Sequence, residues 1–316
     1  MEFLQICSSM LTIVAMVAVG VVLTKIGWIN EQVKDFLIKI TVQLALPTLM
    51  FESVITDFTR EEIIAMKSRI LIPFASILLT MAVGIAMAYI LHVDPKKRGL
   101  FISMFFNSNT IFVGLPVNLA LNGKSCIPDV MLYYMASTCL FWTLGVYFIS
   151  LDGESGEKRR FFSKDTLKNI CSLPLISFLL ALAWIMTGWE MPKPVLTVLG
   201  YFGNLTTPLS MLFIGSCICC VSVEKMKPTR EIIGVLVGRF VAAPCIMLTL
   251  LHFSAIEPKM GRVFLVQAAM PVMTNTAILA RAYHCDEDYA AVMTVLTTLM
   301  VVLVVPVYCI IFDHIF

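Results

Sequence analysis

Charge is what this chain has least of. Asp, Glu, Lys and Arg make up 14% of its 316 residues, against about 25% in an ordinary soluble domain. The net charge is +2 and there are four histidines, too little positive charge for a nucleic-acid face. His-Glu-x-x-His, Gly-x-Ser-x-Gly and Walker A patterns are all missing from the sequence, which removes the commonest hydrolase and nucleotide-binding chemistries. Acidic residues avoid the middle of the apolar runs, and a carboxylate relay for protons would want one there. The ten cysteines are scattered rather than arranged as a disulfide framework. Cys217-x-Cys219-Cys220 has no histidine beside it and reads as helix packing rather than a soft-metal site.

What is abundant is apolar. Such residues account for 59% of the chain, and the mean hydropathy is +0.90, the composition of an integral membrane protein and not of a soluble domain with a large core. A transmembrane helix needs about 20 apolar residues. Ten stretches qualify, near 3–24, 35–56, 69–91, 100–121, 130–150, 170–188, 196–220, 232–253, 263–282 and 289–312. The first follows Met1-Glu2 with no basic stretch before it and reads as a first span, not a removed leader. With the N-terminus outside, the inner loops hold 14 Lys and Arg residues and the outer loops 7. That bias places both termini outside, as an even number of spans requires.

A basic loop at 151–169, taken as cytoplasmic, divides the chain into residues 1–150 and 170–316, five spans each. An odd number per half makes the second half enter from the opposite side, the arithmetic of an inverted repeat. The expected fold is therefore all-α, with ten transmembrane helices in two inverted five-helix repeats. Internal echoes support it: Pro47 with Pro208, Pro73 with Pro244, and Pro116 with Pro271 occupy ordered places in the two halves.

The last pair carries the function. Span 4 contains Asn107, Asn109, Thr110, Gly114 and Pro116, and span 9 contains Pro271, Asn275 and Thr276. Proline removes a backbone donor and crowds the preceding turn. In lipid the freed groups must be satisfied inside the protein. Spans 4 and 9 are expected to break at Pro116 and Pro271 and to aim half-helix N-termini at the midplane, where partial positive charge suits an anion. The amides and hydroxyls would add donors and acceptors, and Gly114 would permit close approach. Arg239, about a third of the way into span 8, either meets a substrate carboxylate or pairs with internal carbonyls. Gln43 and Gln267 are candidate pore liners.

Asn109-Thr110-x-x-x-Gly114-x-Pro116 resembles the fourth-span motif of the auxin efflux carrier family, which covers plant auxin exporters and many bacterial permeases. Ala268-Ala269-Met270-Pro271, followed by Ala280-Arg281-Ala282-Tyr283 and an acidic loop, is similar to its ninth-span region. The resemblance covers essentially the whole chain. It implies that spans 4 and 9 cross at their prolines. It also implies that spans 1, 2, 6 and 7 form a scaffold, often a homodimer, while spans 3–5 and 8–10 form a moving core, and that transport is by elevator-type alternating access. Asn275 and the short central loop look more like bacterial members, whose relatives include malate and malonate permeases. A small dicarboxylate crossing the cell membrane is therefore the expected cargo. The alternatives are an auxin-like monocarboxylate exporter or a non-transporting membrane receptor. No cofactor is expected, and coupling to Na+, coupling to H+ and uncoupled movement all stay open.

Overall fold

The computed structural model describes residues 2–57, 59, 60, 69–153, 173–219, 228–254 and 256–315. Most of the 151–169 loop, Cys220, and the side chain of Arg281 lie outside what it describes. The described chain is helical almost throughout. In order it forms α1 (Glu2–Lys25), α2 (Glu31–Ile40), α3 (Leu46–Asp57), α4 (Leu71–Ile90), α5 (Arg98–Phe106), α6 (Leu115–Asn122), α7 (Ile127–Leu140) and α8 (Val146–Asp152). After the loop come α9 (Leu173–Thr187), α10 (Lys193–Gly203), α11 (Thr206–Ile218), α12 (Arg230–Val237), α13 (Ala243–His252), α14 (Pro258–Ala268), α15 (Asn275–Ala282) and α16 (Glu287–Ile315).

Among the described residues six stretches are long and apolar enough to cross a bilayer: Glu31–Thr56, Leu71–Ile90, Lys124–Asp152, Lys193–Ile218, Arg230–His252 and Glu287–Phe312. Leu11–Lys25, Thr110–Asn122 and Leu173–Thr187 are shorter apolar helices. Each of the ten stretches expected from hydropathy holds helix. The fourth and ninth are interrupted: α5 and α6 have 9 and 8 residues, α14 and α15 have 11 and 8, and none of these helices reaches across alone. The chain is an all-helical, multi-pass membrane protein.

Among the described residues four helical joints are single π turns: Thr41–Ala45 between α2 and α3, Thr110–Gly114 before α6, Phe141–Gly145 between α7 and α8, and Gly238–Ala242 between α12 and α13. Three of them end two residues before a proline, namely Pro47, Pro116 and Pro244. A proline ring clashes with the carbonyl four residues back and offers no N–H. Widening that turn relieves the clash while the helix continues. This corrects the expectation that span 4 breaks at Pro116. Pro116 is the second residue of α6, buried in helical backbone, and the chain is instead extended at Asn107, where α5 ends with φ −92° and ψ 130°.

The chain divides into two units. The first comprises Met1–Ile70, Ile111–Met131 and Cys171–Cys220. Within it α1 and α11 approach closely, since a Cβ on Gly20 would lie 2.6 Å from the Leu212 carbonyl oxygen. Small residues serve membrane helices this way, because packing replaces a hydrophobic drive between helices that lipid removes. α3 lies along α9 and α10, and α6 along α1 and α11. The second unit comprises Leu71–Thr110, Leu132–Ile170 and Val221–Phe316. Its core is organised around α5. The Phe105 ring lies against Gly84 of α4 and against Gly238 at the start of the π turn after α12, and the Phe101 ring against Gly234.

Candidate functional site: two broken helices meeting

The second unit holds two interrupted helices that meet at their interruptions. On one, the Asn107 amide folds back, its Nδ2 donating to the Ser103 carbonyl at 3.2 Å. Asn competes with helix in this way by offering the backbone a side-chain partner. On the other, α14 ends at Ala268, and Pro271 lies in the non-helical stretch before α15. Ser108 and Val272 then form an antiparallel bridge, and the Asn109 N–H donates to the Pro271 carbonyl at 2.8 Å. Asn109 Nδ2 donates to Thr274 Oγ1 at 2.7 Å. Gln267 Nε2 donates to the Thr110 carbonyl at 3.3 Å, and the Val272 N–H donates to Thr297 Oγ1 of α16 at 3.1 Å. Backbone freed from one helix is thus satisfied by the other, as apolar surroundings demand.

Asn107, Ser108, Asn109, Thr110, Gln267 and Thr276 are all at most 2% exposed, while Asn275 is half-buried. Among the described residues, buried oxygens here with no protein hydrogen-bond partner include Asn107 Oδ1, Thr110 Oγ1, Gln267 Oε1 and Thr276 Oγ1. Buried polar atoms are normally partnered, and a group of exceptions asks for an explanation. Two of these are hydroxyls that can donate or accept, and two are amide oxygens that only accept.

Arg239 is 1% exposed. Its Nε donates to the Met270 carbonyl at 3.1 Å, one terminal nitrogen to the Ala268 and Met270 carbonyls at 2.7 and 3.0 Å, and the other to the Phe105 carbonyl at 3.3 Å. Of the two roles the sequence left open for Arg239, the geometry shows the pairing with internal carbonyls. The N-terminus of α15 also differs from expectation: the Thr276 and Ala277 N–H groups turn back on the Met273 and Thr274 carbonyls at 3.0 and 3.2 Å, so the helix dipole, not a fan of free N–H groups, supplies positive potential there.

Asn107, Asn109, Thr110, Arg239, Pro271, Asn275 and Thr276 therefore share one unit, whereas Gly114 and Pro116 belong to the other. The unit boundary falls at Thr110/Ile111, inside the motif that the sequence singled out. Ser108, Thr274 and Thr297 take part without having been singled out. Ser108 and Thr274 adjoin residues that were, and Thr297 is one hydroxyl among several in the last span.

The unit is tied at another place by charge. Asp152, the last residue of α8, accepts from the Gly99 and Leu100 N–H groups at 2.8 and 2.7 Å, capping the start of α5 with a carboxylate where the helix dipole favours one. Lys97 Nζ lies 2.7 Å from Asp286 Oδ2 in the loop before α16. That hydrogen bond to Asp286 raises the Lys97 pKa above its ordinary value.

A membrane protein with two broken helices joined by backbone pairing at a polar, buried site is built as a transporter. Residues 5–309 match the family model described as membrane transport protein, and the chain belongs to that family, the auxin efflux carriers, which are transporters and not enzymes. An uncharacterized transporter of Methanothermobacter thermautotrophicus is 22% identical over 98% of this chain and 100% of its own length. Another, from Methanocaldococcus jannaschii, is 25% identical over 94% of this chain and 96% of its own. A Rhizobium meliloti protein named "Putative malonate transporter" is 22% identical over 87% of this chain and 83% of its own.

Proposed function

We propose that this protein moves a small organic anion, a dicarboxylate of the malate or malonate type, across the cell membrane through the crossing of its two broken helices. The observation that carries the reading is the Asn109–Pro271 junction with buried, unpartnered polar groups around it. Hydroxyls of Thr110 and Thr276 would donate to carboxylate oxygens, the α15 dipole would favour negative charge, and Asn107, Asn109, Pro271 and Asn275 would shape the cavity. The two acceptor-only amide oxygens suit a cargo that carries a donor of its own, such as a hydroxy acid. The similarity to a protein named for malonate supports the dicarboxylate class.

In this reading the ten helical segments form two inverted repeats with both termini outside. The unit containing α1–α3 and α9–α11 acts as scaffold and dimer interface, and the other unit carries cargo by elevator-type alternating access. Gly114 and Pro116, on the scaffold side of the Thr110/Ile111 boundary, belong to the stretch of chain that links the scaffold to the moving unit. The test is uptake of labelled malate into proteoliposomes, with Na+, H+ and potential gradients imposed one at a time. Uptake that unlabelled malonate competes away supports the proposal. No uptake under any gradient, by protein shown to be folded, rejects the dicarboxylate class.

A further inference from the structure

Burying an arginine without a carboxylate is expensive, so a fully buried one that donates to carbonyls is there for those carbonyls. The three that Arg239 holds share a property. Ala268 is the last residue of α14, Met270 follows two residues past that end, and Phe105 is the second-last residue of α5. The last four carbonyls of a helix lack intrahelical partners, and each helix end carries roughly half a negative charge. Two such ends present about one negative charge to the place where the broken helices meet, the amount one guanidinium cancels.

The local sequence delivers the guanidinium there. Arg239 sits in the π turn Gly238–Ala242, which Pro244 follows, and Gly238 beside it has no Cβ to hold the Phe105 ring away. Tyr308 of α16 donates its hydroxyl to the Phe240 carbonyl at 2.7 Å, fixing the same turn from the other side. A lysine offers one ammonium where the planar fork of arginine reaches three carbonyls in different directions.

We infer that Arg239 is a positioning residue and not a cargo ligand: it clamps the C-terminal ends of both broken helices and cancels the negative potential that would otherwise keep an anion out of the crossing. The inference rests on reading the crossing as the transport site. Its consequence is that Arg239 acts on how many molecules hold a competent crossing, and so on the rate, more than on the affinity of those that do.

Two variants, Arg239→Lys and Arg239→Gln, test this with two readouts. The first readout is oxidative cross-linking of Ser108→Cys with Val272→Cys, a bridged pair whose spacing suits a disulfide, and it requires no transport. The cross-link should form in the parent, should fall at least about fivefold with Arg239→Gln, where the potential is uncompensated, and should fall by a smaller factor with Arg239→Lys, which keeps the charge and loses the fork. The second is uptake kinetics on the cysteine-free-pair background. With Arg239→Lys the maximal rate should fall by the same factor as the cross-link while KM stays within about threefold, the pattern of molecules that have lost the crossing and do not regain it during the assay rather than of a lost ligand. An undiminished cross-link with Arg239→Gln would overturn the clamp. A KM raised about tenfold or more by Arg239→Lys with the rate preserved would make Arg239 a cargo ligand and overturn the positioning role. If the parent transports nothing, the cross-link still decides the clamp, and only the transport reading fails.

Discussion

Replacing Asn109 by Ala tests the crossing where it is best defined. The backbone bond from the Asn109 N–H to the Pro271 carbonyl survives the change, so the variant removes the side-chain bond from Nδ2 to Thr274 Oγ1 at 2.7 Å. Both partners are buried, Asn109 at 2% and Thr274 at 8% exposure. A neutral hydrogen bond contributes about 1 kcal/mol net, and a buried hydroxyl left without its donor costs about 1–3 kcal/mol more. The expected destabilisation is about 2–3 kcal/mol, a large fraction of the usual margin of about 5–15 kcal/mol. Thr274→Val removes the same bond from the other side, by taking its acceptor away. Because each single change already breaks the shared bond, the double variant should lose about 1 kcal/mol less than the sum of the singles. Thermal unfolding of purified protein in detergent reads the stability cycle, and uptake reads function. Flux should fall at least about tenfold with Asn109→Ala, since a misplaced site of this kind loses that much from small displacements. Strictly additive stability losses would refute the bond, and full flux in Asn109→Ala would refute the site.

Three further predictions follow the same geometry. Pro116→Ala should leave uptake within about threefold of the parent, because a π turn already accommodates that proline, whereas Pro271→Ala should lower it at least about tenfold by adding a buried N–H beside the crossing; equal effects in uptake assays would sink the distinction. Gly84→Ala would bring a Cβ to 2.9 Å from the Phe105 ring and should destabilise by about 1–3 kcal/mol, which a lowered unfolding temperature would report and an unchanged one would contradict. The Lys97–Asp286 pair is more than a third exposed on its lysine side, so Lys97→Met should cost only about 0.2–1 kcal/mol. The Lys97 pKa is raised in the folded protein, so this contribution is fully present below the unfolded value of about 10.4 and disappears as pH rises through the folded value. Unfolding temperatures of parent and variant should converge only above that pH, and convergence near neutrality would contradict the assignment.

Hydropathy located the helices because period and length depend on nearest neighbours. Each of the ten apolar stretches holds helix, and Asn109 and Pro271, singled out by their polarity and backbone chemistry, do join. The partners could not be read the same way. The bond from Asn109 to Thr274 spans 165 positions, and Arg239 reaches carbonyls 134 and 31 positions away. A backbone carbonyl carries no sequence signature, so an arginine recruited by carbonyls looks identical, in the sequence, to one awaiting a carboxylate.

The prolines show most sharply where local reasoning stops. Pro47, Pro116, Pro244 and Pro271 have the same missing donor and the same crowded carbonyl, yet three follow a widened turn and one lies outside helix. What separates them is where the displaced backbone groups find partners. Before Pro47, Pro116 and Pro244 the wider i→i+5 pattern keeps those partners inside the helix. At Pro271 they come from other segments: Asn109 donates to the Pro271 carbonyl, Thr297 receives the Val272 N–H, and Arg239 takes the Met270 and Ala268 carbonyls. Span 4 breaks at Asn107–Asn109 for the same reason, because the opposing segment and Arg239 are there to receive it, and not because a proline stands nearby. A break in a membrane helix is thus a property of two segments together, which is why a pair of interrupted spans marks a site more reliably than either proline alone.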